Sequence, residues 1–212
     1  MRKILLYTLV GVVSLAIAGW LRQRRRPIPI PPQLTFLFEN PLVEAFAGSE
    51  LLVERLSLAP SMRVLDAGCG PGRLTIPVAK AVAPTGEVLA LDIQRAMLEL
   101  LEHRLEAESV TNVRTLEAGL GEGALEREAF DRVLLAFVLG EVRDRGAVAR
   151  ELYAALKPGG VLSMTEIFGD PDYRRPASVR HEVEPAGFEL VERFGGFPAY
   201  TLNFQRPENV AT

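Results

Sequence analysis

Short apolar runs alternate along the middle of this chain with longer stretches of helical periodicity. Residues 62–66, 87–92, 131–136 and 160–166 are short, largely apolar runs that read as strands, and Val113 to Glu117, after Thr111-Asn112, reads as a further short strand. Between them, 73–83, 94–107 and 144–156 place apolar side chains three or four apart and read as helices. Strand and helix in alternation predict an α/β fold, a doubly wound and mostly parallel sheet with helices on both faces. Ahead of it, Asn40-Pro41 signals a helix start, and 42–47 and 49–58 carry helical spacing. These segments are expected to cap a pocket or pack on the sheet. Residues 119–129 are glycine-rich and are expected to hold a loop and a short helix. A helix over 176–186 follows the last parallel strand. The runs 188–193 and 199–205, separated by Gly195-Gly196, predict a C-terminal antiparallel pair.

The first apolar run differs in kind. Ile4 to Leu21 is uncharged over 18 residues, about 27 Å as a helix, near the lower limit for a bilayer core. Trp20 stands at its end, and Arg22-Gln23-Arg24-Arg25-Arg26 follows. The positive-inside rule places this cluster, and the domain behind it, in the cytoplasm. One transmembrane helix is therefore expected, with 1–26 as a membrane anchor. Ala16-Ile17-Ala18 also has the pattern of a signal-peptide cleavage site, but the arginines just beyond it oppose translocation. Pro27-Ile28-Pro29-Ile30-Pro31-Pro32 favours polyproline II, so 27–35 reads as a stalk of roughly 19 Å. Residues 36–212 remain for the folded domain.

Composition narrows the chemistry. With 212 residues, 48% of them hydrophobic, the chain can bury one well-packed core. A single cysteine, Cys69, precludes an internal disulfide. Six of the 24 basic residues lie in 1–26, which holds no acid. The other 18 face all 27 acidic residues, a net of −9. Nucleic-acid binding relies on clustered Lys and Arg, so DNA and RNA are not expected as ligands.

Val64-Leu65-Asp66-Ala67-Gly68-Cys69-Gly70-Pro71-Gly72 runs from a strand through a glycine turn into a helix, the layout that cradles a nucleotide-like ligand. Asp92 closes the next strand, where a carboxylate can accept from both hydroxyls of a ribose. A nicotinamide or flavin site wants its third glycine where this chain has Arg73, which argues against an oxidoreductase.

Asp66-x-Gly68-x-Gly70-x-Gly72 resembles motif I of the class I S-adenosylmethionine-dependent methyltransferases. Phe130-Asp131-Arg132-Val133-Leu134-Leu135 resembles that family's fourth strand. Leu156-Lys157-Pro158-Gly159-Gly160-Val161-Leu162-Ser163 resembles the helix end, turn and fifth strand that follow. The likeness covers about residues 50–206, and its style is that of the quinone and sterol branch (methyltransferase type 11). It implies a Rossmann-like fold and S-adenosyl-L-methionine as cofactor. The loop would wrap the methionine half, and Asp66 would orient its amino group. The implied cofactor residues are Asp66, Ala67, Gly68, Gly70, Gly72, Asp92, Ile93, Leu120 and Ala136. The chain departs from the family after the third strand. Ala118-Gly119-Leu120 stands where Gly-Asp-Ala usually supplies an acid to the adenine amino group, so either Glu117 or Glu122 substitutes or adenine recognition rests on backbone groups and apolar contact. Gly140 also stands where a histidine is often found.

Methyl transfer is an in-line displacement that depends largely on positioning. A base is needed only where the acceptor must lose a proton. Glu141, Glu166, Asp170 and His181 are the candidates, and none is singled out. His103 reads as a solvated helix-face residue. A lone cysteine argues against metalloid methylation, and no metal site is expected. Phe36, Phe38, Phe137, Phe168, Tyr173 and Phe197, together with the anchor, point to a small lipophilic acceptor such as a quinone or a lipid. The rival reading is an inactive S-adenosylmethionine-binding module that acts as a tethered partner.

Overall fold

The computed structural model describes residue 31 and residues 41–208. The expected anchor (1–26), most of the proline stalk, Phe36 and Phe38 lie outside the described residues. Among those described, no helix is long and apolar enough to cross a membrane.

Seven strands form one sheet: β1 (Arg63–Ala67), β2 (Glu87–Asp92), β3 (Val113–Glu117), β4 (Phe130–Ala136), β5 (Leu156–Ile167), β6 (Glu189–Gly195) and β7 (Ala199–Gln205). Their order is β3-β2-β1-β4-β5-β7-β6. The first five run parallel, with Leu65 of β1 opposite Leu89 and Val133 on its two neighbours. The predicted terminal pair forms, and its second member, β7, inserts antiparallel between β5 and β6. The ends of β1, β2, β4 and β5 therefore share one edge of the sheet, and the chain reverses there at Ala67, Asp92, Ala136 and Ile167.

The helices are α1 (Pro41–Ala47), α2 (Ser49–Arg55), α3 (Thr75–Val82), α4 (Arg95–Ala107), α5 (Arg145–Ala155) and α6 (Pro176–Val183). Alternate strand residues feed opposite faces. Val64, Val88 and Leu134 pack under α2 and α3, and Ala90 packs under α4. Leu65, Leu91, Val133 and Leu135 pack with α5 and α6 in the larger core, which also holds Phe130 and Phe204. Burial of each such Phe contributes about 1.5–3 kcal/mol. Asp144 caps α5 by accepting the Ala147 N–H at 2.8 Å. Pro176 opens α6, where a missing N–H does no harm. Of the two roles expected for the first helices, the structure has packing. Val43 and Ala47 of α1 sit against Phe137, Ile167 and Ala199.

Two local expectations are corrected. Residues 119–129 form turns and no helix, because Gly121 and Gly123 take φ of +88° and +80°. Their neighbourhood is held sideways instead, since Glu151 of α5 accepts the N–H groups of Gly121 and Leu125. The fifth strand starts at Leu156, not 160. Phe130 pairs with Leu156 and Arg132 with Val161, so Lys157–Gly160 bulge from the ladder between two paired ends.

Candidate functional site

The three glycines of the loop after β1 have separate tasks. Gly68 takes φ +80°, and a Cβ on it would collide with Val138, so the loop lies directly against the segment after β4. Gly72 takes φ +90°, and its Cβ would collide with Leu101 of α4. Only Gly70, at φ +52°, has no atom within 4 Å of a Cβ position. It faces open space inside a cavity of about 600 Å³, within the roughly 300–1,000 Å³ usual for ligand pockets.

Asp92 ties this loop to β2. Its Oδ2 accepts the Gly70 N–H at 3.0 Å and its Oδ1 accepts the Gln94 N–H at 2.8 Å. An ionised carboxylate has about four acceptor positions, so Asp92 keeps acceptor capacity for a ligand beside its backbone donors. Burial raises the Asp92 pKa above the usual carboxylate range, and the backbone N–H groups of Gln94, Gly70 and Ile93 oppose the rise. Asp66, on β1, accepts the Thr75 hydroxyl at 2.6 Å. Burial pushes its carboxyl up to about 6, with Thr75 and Arg73 opposing and Asp92 reinforcing. Cys69 is buried beside both acids. Its thiol is pushed up by burial and by those two charges, which leaves it an inert wall residue.

The far wall follows β4. Phe137 sits at φ +63°, a conformation rare for a bulky residue. Its N–H bonds the Thr165 carbonyl at 3.0 Å, and the Arg73 guanidinium lies 5.5 Å from its ring centre. This reversal turns Val138 back onto Gly68. The third wall is Ala118-Gly119-Leu120 after β3. A Cβ on Gly119 would lie 2.5 Å from Glu122 Oε1, so the Glu122 carboxylate lies where a side chain at 119 would begin.

Of the cofactor residues expected from sequence, Asp66, Gly68, Gly70, Asp92, Ile93, Leu120 and Ala136 line the cavity. Ala67 and Gly72 do not. Ala67 is wholly buried in the core, and Gly72 packs the loop on α4. Glu141 is the one candidate acid that reaches the cavity; Glu122 lines it too, whereas Glu117 does not. Glu166, Asp170 and His181 lie elsewhere. Glu166 is buried in β5 and accepts the Arg174 N–H at 3.0 Å. Asp170 is buried in the following turn, and His181 is exposed on α6. Arg73, Gln94, Met97 and Arg143 also line the cavity. Sequence reasoning did not find them as lining residues, because they carry no motif and meet only in space. Among the described residues, no cluster of His, Cys, Asp or Glu could hold a metal ion.

The residues present fit a nucleoside bearing a cationic group. The loop is open at Gly70, free acceptor positions remain on Asp92, and Asp66 stands at the inner end. Residues 64–160 match a family model described as a methyltransferase domain. A demethylmenaquinone methyltransferase of Geobacillus sp. (strain WCH70) is 32% identical over 114 residues, 54% of this chain and 49% of that protein. The chain thus spans about half the length of the curated relatives it matches. A SAM-dependent methyltransferase from Aquifex aeolicus superposes with a TM-score of 0.77 at 20% identity, covering 84% of this chain and 100% of that one. The 4+2 cyclase SpnF superposes with a TM-score of 0.68 at 17% identity, over 76% of this chain and 80% of its own. At such identities the two structures speak for the fold alone, and the sequence matches speak for a likeness over about half of the chain. Over residues 64–160 the chain is similar to S-adenosylmethionine-dependent methyltransferases.

Proposed function

We propose that this chain binds S-adenosylmethionine in the cavity between β1, β2 and β4 and methylates a small lipophilic acceptor of quinone type. We further propose that residues 4–21 tether it to a membrane, with the domain on the cytoplasmic side. The clamp of Asp92 on Gly70 carries the first part, because it holds a ribose-binding carboxylate and an open glycine loop in one place. The similarity to demethylmenaquinone methyltransferases supports the acceptor class, and the uncharged run 4–21 with its arginine flank supports the tether.

When bound, S-adenosylmethionine supplies a methyl group on a sulfonium. The chain's own residues do the rest. Asp92 accepts the ribose hydroxyls. Asp66, when ionised, faces the amino group, and Glu122 offers an acceptor beside Gly119 in place of the acid missing there. Phe137 and Val138 exclude water from the apolar wall. Glu141 is within the cavity to take a proton where the acceptor must lose one.

The test is turnover by the full chain with methyl-labelled S-adenosylmethionine. Demethylmenaquinone, a membrane lipid extract and a soluble metabolite extract are offered separately. Label in the quinone or lipid fraction is the expected result. Label only in the soluble extract overturns the acceptor class. The second reading, a binding module without turnover, draws on Gly119 and Gly140, where the family's acid and histidine are absent. Cofactor binding with no labelled product in any fraction would favour it.

A further inference from the structure

Among the described residues, the two most exposed large apolar side chains stand together outside the cavity. Phe197 is 82% exposed and Phe168 60% exposed. Their rings are 5.2 Å apart, and Tyr173 meets Phe168 edge-on at 5.9 Å. The three aromatics line a groove with Arg175, Arg180 and Arg193, and no Asp or Glu lines it. Arg180 is shared with Glu184 of its own helix turn. Arg175 and Arg193 are exposed and make no ion pair among the described residues. Beyond residue 26 the chain is acidic, at −9 with these arginines included, so this is a local reversal of charge around exposed rings.

The position of the groove gives it meaning. Phe168 directly follows β5, Phe197 lies two residues before β7, and Ile167 pairs with Ala199. The Phe168 N–H bonds the Pro198 carbonyl at 2.7 Å, which holds the two turns together. Both rings therefore project from the edge where β1, β2 and β4 end, the edge that holds the cavity.

We propose that the Phe168–Phe197 tip and its arginine rim form a docking surface for an anionic phospholipid bilayer. The rings enter the headgroup–acyl boundary, and Arg175 and Arg193 bind lipid phosphates. Exposed apolar patches with polar rims mark such contacts, and rings with basic neighbours suit an anionic interface. An acidic domain is repelled by an anionic leaflet everywhere else, so the patch also fixes its orientation, with the cavity edge toward lipid.

The test uses the full chain with Trp20→Phe and Phe197→Trp, which leaves one tryptophan as reporter on the tip. Vesicles of phosphatidylglycerol and phosphatidylcholine carry brominated acyl chains. The expected result is a blue-shifted emission quenched by bromine. The quenching is lost in pure phosphatidylcholine, and Arg175→Ala with Arg193→Ala lowers the docking equilibrium about thirtyfold, from roughly 1 kcal/mol per arginine. A chain that floats with the vesicles but shows no quenching at position 197 overturns the proposal. So does quenching indifferent to lipid charge and to the arginines, or a response to an acidic polypeptide in place of vesicles. Phe168→Trp provides a second reporter if the first perturbs the turn. The readout needs neither cofactor nor turnover, so it stands or falls separately from the methyl-transfer reading.

Discussion

Asp92 accepts the backbone N–H of Gly70 at 3.0 Å across 22 positions of sequence. The end of one strand thus fixes the loop that leaves its neighbour. Asp92→Ala releases that loop and removes the acceptors left for ribose. Loss of even one hydrogen bond to a charged group costs about 1.5–3 kcal/mol, so calorimetric titration should show S-adenosylmethionine binding weakened roughly 10- to 150-fold. An unchanged Kd would place the ribose elsewhere.

Gly70 and Gly72 should separate binding from stability. Gly70→Ala has room for its methyl group and should destabilise by only about 1–2 kcal/mol, the strain of a left-handed residue. That methyl intrudes on the cavity and should weaken cofactor binding roughly tenfold or more. Gly72→Ala meets Leu101 as well as the same strain, and should cost about 2–4 kcal/mol in denaturant unfolding. Its cofactor affinity, measured where it is folded, should stay near that of the parent.

If Asp66 meets the amino group as proposed, cofactor binding should depend on pH. Its folded carboxyl titrates near 6, above the ordinary 3.8. Between those values the folded state keeps a proton that the unfolded chain has released. Stability from this group therefore falls as pH rises toward 6 and is level above it. Binding of a cationic amino group has the opposite sign, since it needs the ionised form. Affinity should be about tenfold weaker at pH 5 than at pH 7.5, and Asp66→Asn should flatten the profile. A wild-type profile without that drop would remove Asp66 from the ligand.

Glu166 offers a control away from the cavity. Burial pushes its carboxyl up to about 8, against the Arg174 N–H that favours the charge and with Asp170 reinforcing the rise. The folded state holds this proton from about pH 4.5 to 8, so its stabilising effect is lost as pH climbs through that window. Glu166→Gln keeps an acceptor for Arg174 and carries no charge. Its thermal midpoint should match the parent near pH 5 and exceed it by a growing margin up to pH 9. Cofactor affinity should be unaltered.

Glu122 tests the gap at Gly119. If its carboxylate serves the adenine amino group, Glu122→Ala should weaken S-adenosylmethionine binding by the roughly 0.5–1.5 kcal/mol typical of an exposed hydrogen bond, a few-fold to about tenfold. Gly119→Asp with Glu122→Ala should restore it. Equal affinity in all three proteins would mean that backbone and apolar contact alone hold the base.

What the sequence by itself determined was local. β1, β2, β4 and β5 read as apolar runs because none of their residues is exposed, and the parallel order followed from the helices between them. Asp66, Gly68, Gly70 and Asp92 were legible because strand, turn and helix are contiguous, so a spacing in sequence becomes a distance in space. The tertiary structure alone decided what contiguity cannot carry. Insertion of β7 between β5 and β6 depends on which edge hydrogen bonds stay open after the parallel part is built. The placing of the turns in 119–129 depends on Glu151 of another element, which accepts the N–H groups of Gly121 and Leu125. Phe137 reverses into a cavity wall because Val138 must meet Gly68, and Phe168 reaches Phe197 only when β5 and β7 pair. Each of these is a contact between residues far apart in the chain, and its energy exists only once the sheet has closed.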